Sequence, residues 1–219
     1  MTTTRHMLIT AGPTHEPIDA VRYIANRSSG RMGLALAAAA RDAGWRVTLA
    51  LGPVALAEPA GVAAHRFQTT AELAALLDEH FPRCDVLVMA AAVADYRPRA
   101  ASAGKLPRGT GPLTLELEPT PDLVAACAAR KRPGQRIVGF ALESAQELER
   151  RAADKLRRKG LDAIVANPLA TMGAADVRAT VFTAAGGRVE LAADEALSKE
   201  DFARRLVAWI ESDLLGAPR

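Results

Sequence analysis

Arg22 and Asn26 stand four residues apart and lead into Ser28-Ser29-Gly30, with Gly33 following inside an Ala-rich run. Upstream, the apolar stretch Met7–Ile9 breaks at Ala11-Gly12-Pro13-Thr14. A strand, an irregular loop and a helix in this order present backbone N–H groups and a positive helix end to an anion. Asparagine adds both a donor and an acceptor, which suits an amide or carbonyl substrate. The spelling is neither G-x-G-x-x-G nor G-x-x-x-x-G-K-[ST], which argues against a routine dinucleotide or P-loop site.

Three further apolar runs end in polar or permissive residues. They are Met89-Ala90-Ala91-Ala92-Val93-Ala94-Asp95, Gly139-Phe140-Ala141-Leu142-Glu143 and Ala166-Asn167-Pro168. Small residues at Ala90–Ala92 let a ligand approach the backbone, and Asp95 is placed to accept from a ribose hydroxyl or help hold a metal ion. Lys105, followed by Arg108, sits in a glycine- and proline-rich loop, where a cation can close over a phosphate. Lys155 and Lys159 are four apart, on one face of a helix. Each also has a plainer reading. Asp95 suits a cap or turn, Phe140 a core, the glycines turn and packing geometry, and the lysines a solvated surface.

These residues need a scaffold, and strand and helix signals alternate from end to end. Strands are predicted at Met7–Thr10, Arg46–Leu51, Ala64–Phe67, Val86–Ala90, Leu113–Leu117, Ile137–Ala141, Ala163–Ala166, Ala179–Thr183 and Val189–Leu191. Helices are predicted at Arg31–Ala43, Ala71–His80, Pro121–Arg130, Ala145–Lys159 and Lys199–Leu214. Thr70 with Glu72, Pro121 in a first turn and Ser198 mark helix starts, and Gly44 and Gly160 mark ends. The runs Val86–Ala90 and Ile137–Ala141 are apolar almost throughout, as in parallel strands covered on both faces. The last two strands, joined by Gly186-Gly187, read as an antiparallel hairpin at one edge. In such an α/β sheet ligands bind outside the carboxyl ends of the strands.

Composition narrows the function. The chain has 219 residues, 49% hydrophobic and 24% charged, as expected of one globular α/β domain spanning 1–219. A net charge of +3 with interspersed signs, and only 4% aromatics, argue against a nucleic-acid surface. Cys84 and Cys127 lie in or beside apolar runs and read as buried thiols, and the four histidines lack a metal-binding spacing. No signal peptide or membrane span is recognisable, so a cytoplasmic protein with no membrane partner is expected.

Several stretches together resemble one family. They are ITAGPTHEPID (Ile9–Asp19), RYIANRSSGRMG (Arg22–Gly33), MAAAVADYRP (Met89–Pro98), GKL (Gly104–Leu106), TPDL (Thr120–Leu123), VGFALES (Val138–Ser144), KLRRKGLDAIVAN (Lys155–Asn167) and SKEDFARRL (Ser198–Leu206). This set is similar to phosphopantothenoylcysteine synthetase, the ligase of coenzyme A synthesis, in its bacterial form. The resemblance implies a Rossmann-like parallel sheet flanked by helices, with an antiparallel edge hairpin. It implies that 4′-phosphopantothenate reacts with CTP, assisted by Mg²⁺, to give an acyl-cytidylate and pyrophosphate. L-Cysteine then displaces CMP.

The resemblance assigns nucleotide contacts to Met89, Ala90, Ala91, Asp95, Lys105, Pro121, Asp122, Leu123, Val124, Phe140, Lys155 and Lys159, with Gly12 beside them. It gives Asn26 the pantothenoyl part and the acyl-cytidylate, with Arg22 in support, and gives Lys105 the formation of that intermediate. The metal ligands stay unassigned. A homodimer is implied, with a separate decarboxylase left open as a further partner, since no decarboxylase half is recognised in the chain.

Three positions depart from the family pattern: a lysine-rich loop reads Lys105-Leu106-Pro107-Arg108, a lysine is replaced by Pro119, and an asparagine by Arg178. They leave ATP, used by eukaryotic relatives, as an alternative to CTP. A rival oxidoreductase reading lacks both the glycine fingerprint and an acidic residue after the second strand, which ends Leu51-Gly52-Pro53. A binding protein without turnover is the other alternative, and the joint presence of Asn26, Asp95 and Lys105 favours an enzyme.

Overall fold

A computed structural model describes residues 4–169, 176–191 and 196–216. The chain opens with β1 (His6–Ala11), then a small antiparallel ribbon of β2 (His15–Pro17) and β3 (Tyr23–Ala25), and then α1 (Arg31–Asp42). Next come β4 (Arg46–Leu51), β5 (Ala63–Arg66), α2 (Thr70–His80) and β6 (Val86–Met89). A second ribbon, β7 (Tyr96–Pro98) with β8 (Leu117–Pro119), precedes α3 (Leu123–Ala129). The remainder is β9 (Arg136–Glu143), α4 (Leu148–Arg158), β10 (Ala163–Pro168), β11 (Asp176–Val177), β12 (Thr180–Thr183), β13 (Arg188–Glu190), β14 (Leu197–Ser198) and α5 (Lys199–Trp209).

The main sheet has the order β13-β12-β10-β9-β6-β1-β4-β5. The six strands from β10 to β5 run parallel, and β12 and β13 add antiparallel at one edge, which is the expected hairpin. Alternation within each buried strand sorts the side chains to two faces. Met7, Ile9, Val86, Val88, Val138 and Val165 join α1 and α5 in one core. Leu8, Leu87, Met89, Ile137 and Ile164 join α2, α3 and α4 in the other. Covering both faces explains why all six residues of β1 and all four of β6 are buried.

From β1 the chain first winds outward through β4 and β5, then returns to β6 on the other side. The order therefore reverses between β1 and β6, and a crevice opens there at the carboxyl ends. Close packing of α1 onto β1 shapes its floor. A Cβ at Gly33 would lie 2.3 Å from Ala11 Cβ and 3.0 Å from Ala11 Cα. Gly33→Ala is therefore expected to destabilise the fold by about 1–3 kcal/mol through overpacking, despite alanine's better helix propensity. A lowered denaturant midpoint would show it, and an unchanged or raised midpoint would contradict it.

Four local expectations are corrected. Leu113–Leu117 is not a strand: pairing starts at Leu117, and Leu113 and Leu115 are exposed, because no apolar layer lies beside them to fix the alternation. Thr69, not Thr70, caps α2 in a reciprocal box with Glu72, while Thr70 turns inward to the buried Glu16. Pro121 precedes α3, whose cap is Asp122. The helix expected from Ala145 begins at Leu148. Ser198 does cap α5, and Cys84 and Cys127 are buried free thiols.

Candidate active site

The carboxyl-terminal ends of β6, β9 and β10, with the segment that leads into α1, border a cavity of about 1180 Å³. That exceeds the roughly 300–1,000 Å³ usual for one small molecule, leaving room for two co-substrates. Its centre is the run Ala90–Asp95, which leaves β6 and is held from several sides. Thr10 Oγ1 accepts from the Ala91 N–H at 3.1 Å, and Thr14 Oγ1 from the Ala94 N–H at 3.0 Å. The Ala92 N–H donates to Gly12 O at 2.9 Å, and the Thr14 N–H to Ala92 O at 3.2 Å. From the other side Thr120 Oγ1 donates to Ala94 O at 2.5 Å. A pinned backbone with only methyl side chains at Ala90–Ala92 gives a ligand fixed donors and acceptors at close range.

Asn26 lies on the wall facing this run. Its Nδ2 donates to Val93 O at 2.9 Å, which fixes the amide and leaves Oδ1 as an acceptor. Beside it Ser28, Ser29 and Gly30 open α1. Gly30 occupies the cap position at φ 72° and has no side chain to cap the helix, so among the first-turn amides the Arg31 N–H turns to Ser29 Oγ, at 3.5 Å. Ser28 Oγ instead accepts from the Gly30 N–H at 3.3 Å, within its own loop.

Two lysines approach from α4. Lys155 Nζ donates to Phe140 O at 2.8 Å, and Lys159 pairs with Asp122 at 3.0 Å. Burial pushes the Lys155 ammonium below lysine's ordinary value and Lys159 lowers it further, while Glu143, Asp122 and Asp95 act oppositely. The folded value lies below the unfolded one, so the unfolded chain holds the extra proton. Stability therefore rises as pH climbs through that window. Anion binding runs the other way, because it needs the proton. Affinity for inorganic triphosphate is expected to fall on the alkaline side before the ordinary lysine range. Titrations against pH with Lys155→Arg should move that limb upward, and an unmoved limb would remove Lys155 from the site.

Of the residues singled out in the sequence, the structure gathers Asn26, Met89, Ala90, Ala91, Asp95, Pro121, Asp122, Leu123, Val124, Phe140, Lys155 and Lys159 around this cavity. Gly12, Arg22 and Lys105 are not on its wall. Gly12 lies behind it, at φ 81° and bonded through its carbonyl to Ala92. Arg22 pairs with the inaccessible Asp19 carboxylate at 2.5 Å and donates to Leu106 O at 2.8 Å. The Arg22 guanidinium, with the Val21, Arg22 and Leu106 amides, holds the Asp19 carboxyl well below the usual carboxylate range. The Leu106 N–H donates to Asp19 Oδ2 at 3.1 Å, and Ser102 N–H to Ile18 O at 3.0 Å. Lys105 thus sits exposed on a loop tethered at both flanks.

Sequence reasoning passed over Arg27, Arg31, Arg158 and Lys199, which also line the cavity. Arg158 was one of a crowd, yet Arg150, Arg151 and Arg157 are taken by Glu147, Glu143 and Asp154 at the surface. Asn167 lies on the wall with Oδ1 buried and without a partner among the described residues. A cation in the first turn of a helix, as Lys199 is, runs against the helix dipole and was a legible signal.

Comparison with known proteins bears on this site. Residues 2–214 match the family described as DNA/pantothenate metabolism flavoprotein C-terminal domain. The coenzyme A biosynthesis bifunctional protein CoaBC of Mycobacterium tuberculosis is 44% identical over 173 residues, 74% of this chain and 41% of that protein. A cysteine/cysteine sulfinic acid decarboxylase from an unknown prokaryotic organism is 46% identical over 171 residues, 78% of this chain and 47% of that one. The chain thus spans about half the length of these curated relatives. The solved C-terminal domain of a coenzyme A biosynthesis bifunctional protein CoaBC superposes with a TM-score of 0.80 at 34% identity, covering 94% of this chain and 93% of that one. The architecture around the cavity is thus the family's own, and the chain belongs to the DNA/pantothenate metabolism flavoprotein C-terminal domain family, where its sequence resemblance pointed.

Proposed function

We propose that the protein ligates 4′-phosphopantothenate to L-cysteine through an acyl-cytidylate made from CTP. The observation that carries this reading is one cavity whose wall holds a fixed small-residue backbone, a pinned asparagine and several cationic side chains. The carboxylate oxygen attacks the α-phosphorus and pyrophosphate leaves. The cysteine amine then attacks the acyl carbon, loses a proton, and CMP leaves. The nucleophile of the first step is already ionised, so positioning and positive charge carry most of the catalysis. Lys155 and Lys159 hold phosphates, Ala90–Ala92 and Phe140 frame the base and ribose, and Asn26 orients the acyl group.

Among the described residues no three His, Cys, Asp or Glu side chains come together to hold a metal. Mg²⁺ nevertheless suits the site, because it is commonly held by one or two carboxylates together with substrate phosphates. Asp95, an exposed carboxylate on the wall, would serve, whereas Asp122 is engaged by Lys159. An ion held there would supply positive charge to offset that of the phosphates and of the departing pyrophosphate. The chain's own residues place the carboxylate and exclude water.

A homodimer is the proposed assembly. The two ribbons and the segments beside them expose Val21 (61%), Tyr23 (51%), Tyr96 (56%), Leu113 (61%) and Leu117 (46%). Apolar exposure of this kind marks an interaction surface. Among the described residues no helix is long and apolar enough to cross a membrane, and we place the ligase in the cytoplasm. The bifunctional relatives make a separate decarboxylase a further proposed partner. Mixing the protein with CTP, Mg²⁺ and 4′-phosphopantothenate but no cysteine tests the chemistry. One equivalent of acyl-cytidylate per site, seen by mass spectrometry, supports it, and release of inorganic phosphate instead of pyrophosphate would rule it out.

A further inference from the structure

One buried carboxylate has no part in the chemistry proposed above. Glu16, on β2, is only 2% exposed, and among the described residues it pairs with no cation. Burying such a group is costly unless its oxygens are hydrogen-bonded. Its Oε1 accepts twice from the first residue of α2, from the Thr70 N–H at 2.8 Å and from Thr70 Oγ1 at 2.6 Å. The positive end of that helix favours a carboxylate there. Capping alone does not account for it, because Thr69 and Glu72 already close a reciprocal box on α2.

Beyond Thr70 the bonds lead toward the cavity. The hydroxyl oxygens of Thr70 and Thr14 lie 3.4 Å apart, and both residues are buried. A hydroxyl has one proton to donate. Thr70 gives its own to the carboxylate, at the shorter distance, so its oxygen is left to accept from Thr14. Thr14 Oγ1 is thereby turned to receive the Ala94 N–H, at 3.0 Å. The Ala94 carbonyl accepts from Thr120 Oγ1, and the Thr120 N–H donates to Asp95 O at 2.9 Å. The N–H and C=O of Ala94 are thus each held by a threonine, one residue before the exposed Asp95. The His15 N–H, donating to Gln68 O at 2.7 Å, fastens the start of α2 to the same segment.

We propose that Glu16 and Thr70 are positioning residues for the nucleotide. Neither lines the cavity. They set Thr14, which sets the Ala94 backbone and so directs Asp95 and the amides before it toward the nucleotide. The inference rests on the ligase reading above, which places CTP against Ala90–Asp95. A misplacement of about 1 Å at such a run can cost about 10²-fold, even when its cause lies outside the site.

Thr70→Val removes the hydroxyl, keeps the shape and leaves the Thr70 N–H to Glu16. The expected result is a rise of about fivefold or more in KM for CTP, with the KM for 4′-phosphopantothenate unchanged and recovery in Thr70→Ser. Glu16→Leu should raise the same KM, and combining it with Thr70→Val should add little, because both cut one chain of bonds. A lowered denaturant midpoint with an unchanged KM for CTP would reduce these residues to a structural contact and overturn the proposal. Thr70→Ser as impaired as Thr70→Val, or full additivity in the double variant, would overturn it too. Should the variants fail to fold, the wild type still tests the path. Saturating CTP should slow amide exchange at Thr70 as well as at Ala94, and protection at Ala94 alone would contradict the coupling. Wild-type protein that releases no pyrophosphate sinks the ligase reading, whereas calorimetric titration of CTP into the Thr70 variants still decides the positioning role.

Discussion

Asn26→Asp is expected to form the acyl-cytidylate and then stall. The wild-type amide donates to Val93 O at 2.9 Å and so holds its oxygen toward the cavity. An ionised aspartate has no donor for that carbonyl and would repel it. During cysteine attack negative charge develops on the acyl oxygen as the N–C bond forms, and a fixed negative charge nearby opposes it. A like charge set where that oxyanion must form is expected to cost about 10²–10³ in rate, the scale of losing one oxyanion contact. The first half-reaction is centred on phosphorus, beside the lysines of α4, and should be far less affected. Quenched samples should therefore contain acyl-cytidylate and little amide. Normal cysteine-dependent turnover would remove Asn26 from the role proposed here.

Lys105→Gln is expected to act on the opposite half-reaction, slowing pyrophosphate release by about 10²-fold, the scale of one charged contact in the transition state. In this structure Lys105 is exposed and off the cavity wall, between the tethers at Ser102 and Leu106. A lysine on such a loop can reach the polyphosphate only when the loop closes or the partner subunit presents it. The tether supplies a companion variant: Asp19→Asn weakens the hold on Leu106 and should lower the same step without removing any cation from the loop. An unchanged rate of pyrophosphate release in Lys105→Gln would contradict its proposed task.

The sheet was legible because its strands are short apolar runs buried on both faces, and β1, β6 and β9 have few other ways to satisfy their side chains. Asp95, Phe140, Lys155 and Lys159 were legible as site candidates because strand ends and a helix spacing of four convert directly into position. The two ribbons were not. Strands β2, β3, β7 and β8 are only three pairs long, and Tyr23, Tyr96 and Leu117 remain exposed, so no burial pattern marks them. Thr70 was misread for a related reason. Its inward turn to Glu16 joins residues 54 apart in sequence, a contact that no local signal encodes. Lys199 was legible only as a cation misplaced in a first turn, since only the fold reveals that α5 delivers it to a cavity built largely by other elements.

The most direct test is steady-state turnover of the purified protein with 4′-phosphopantothenate, Mg²⁺ and L-cysteine, comparing CTP with ATP. The account predicts pyrophosphate, CMP and amide product in equal amounts with CTP, all dependent on cysteine under multiple-turnover conditions. Turnover with ATP alone would keep the ligation and move the nucleotide assignment. No pyrophosphate with either nucleotide, in folded protein that still binds them, would contradict the account.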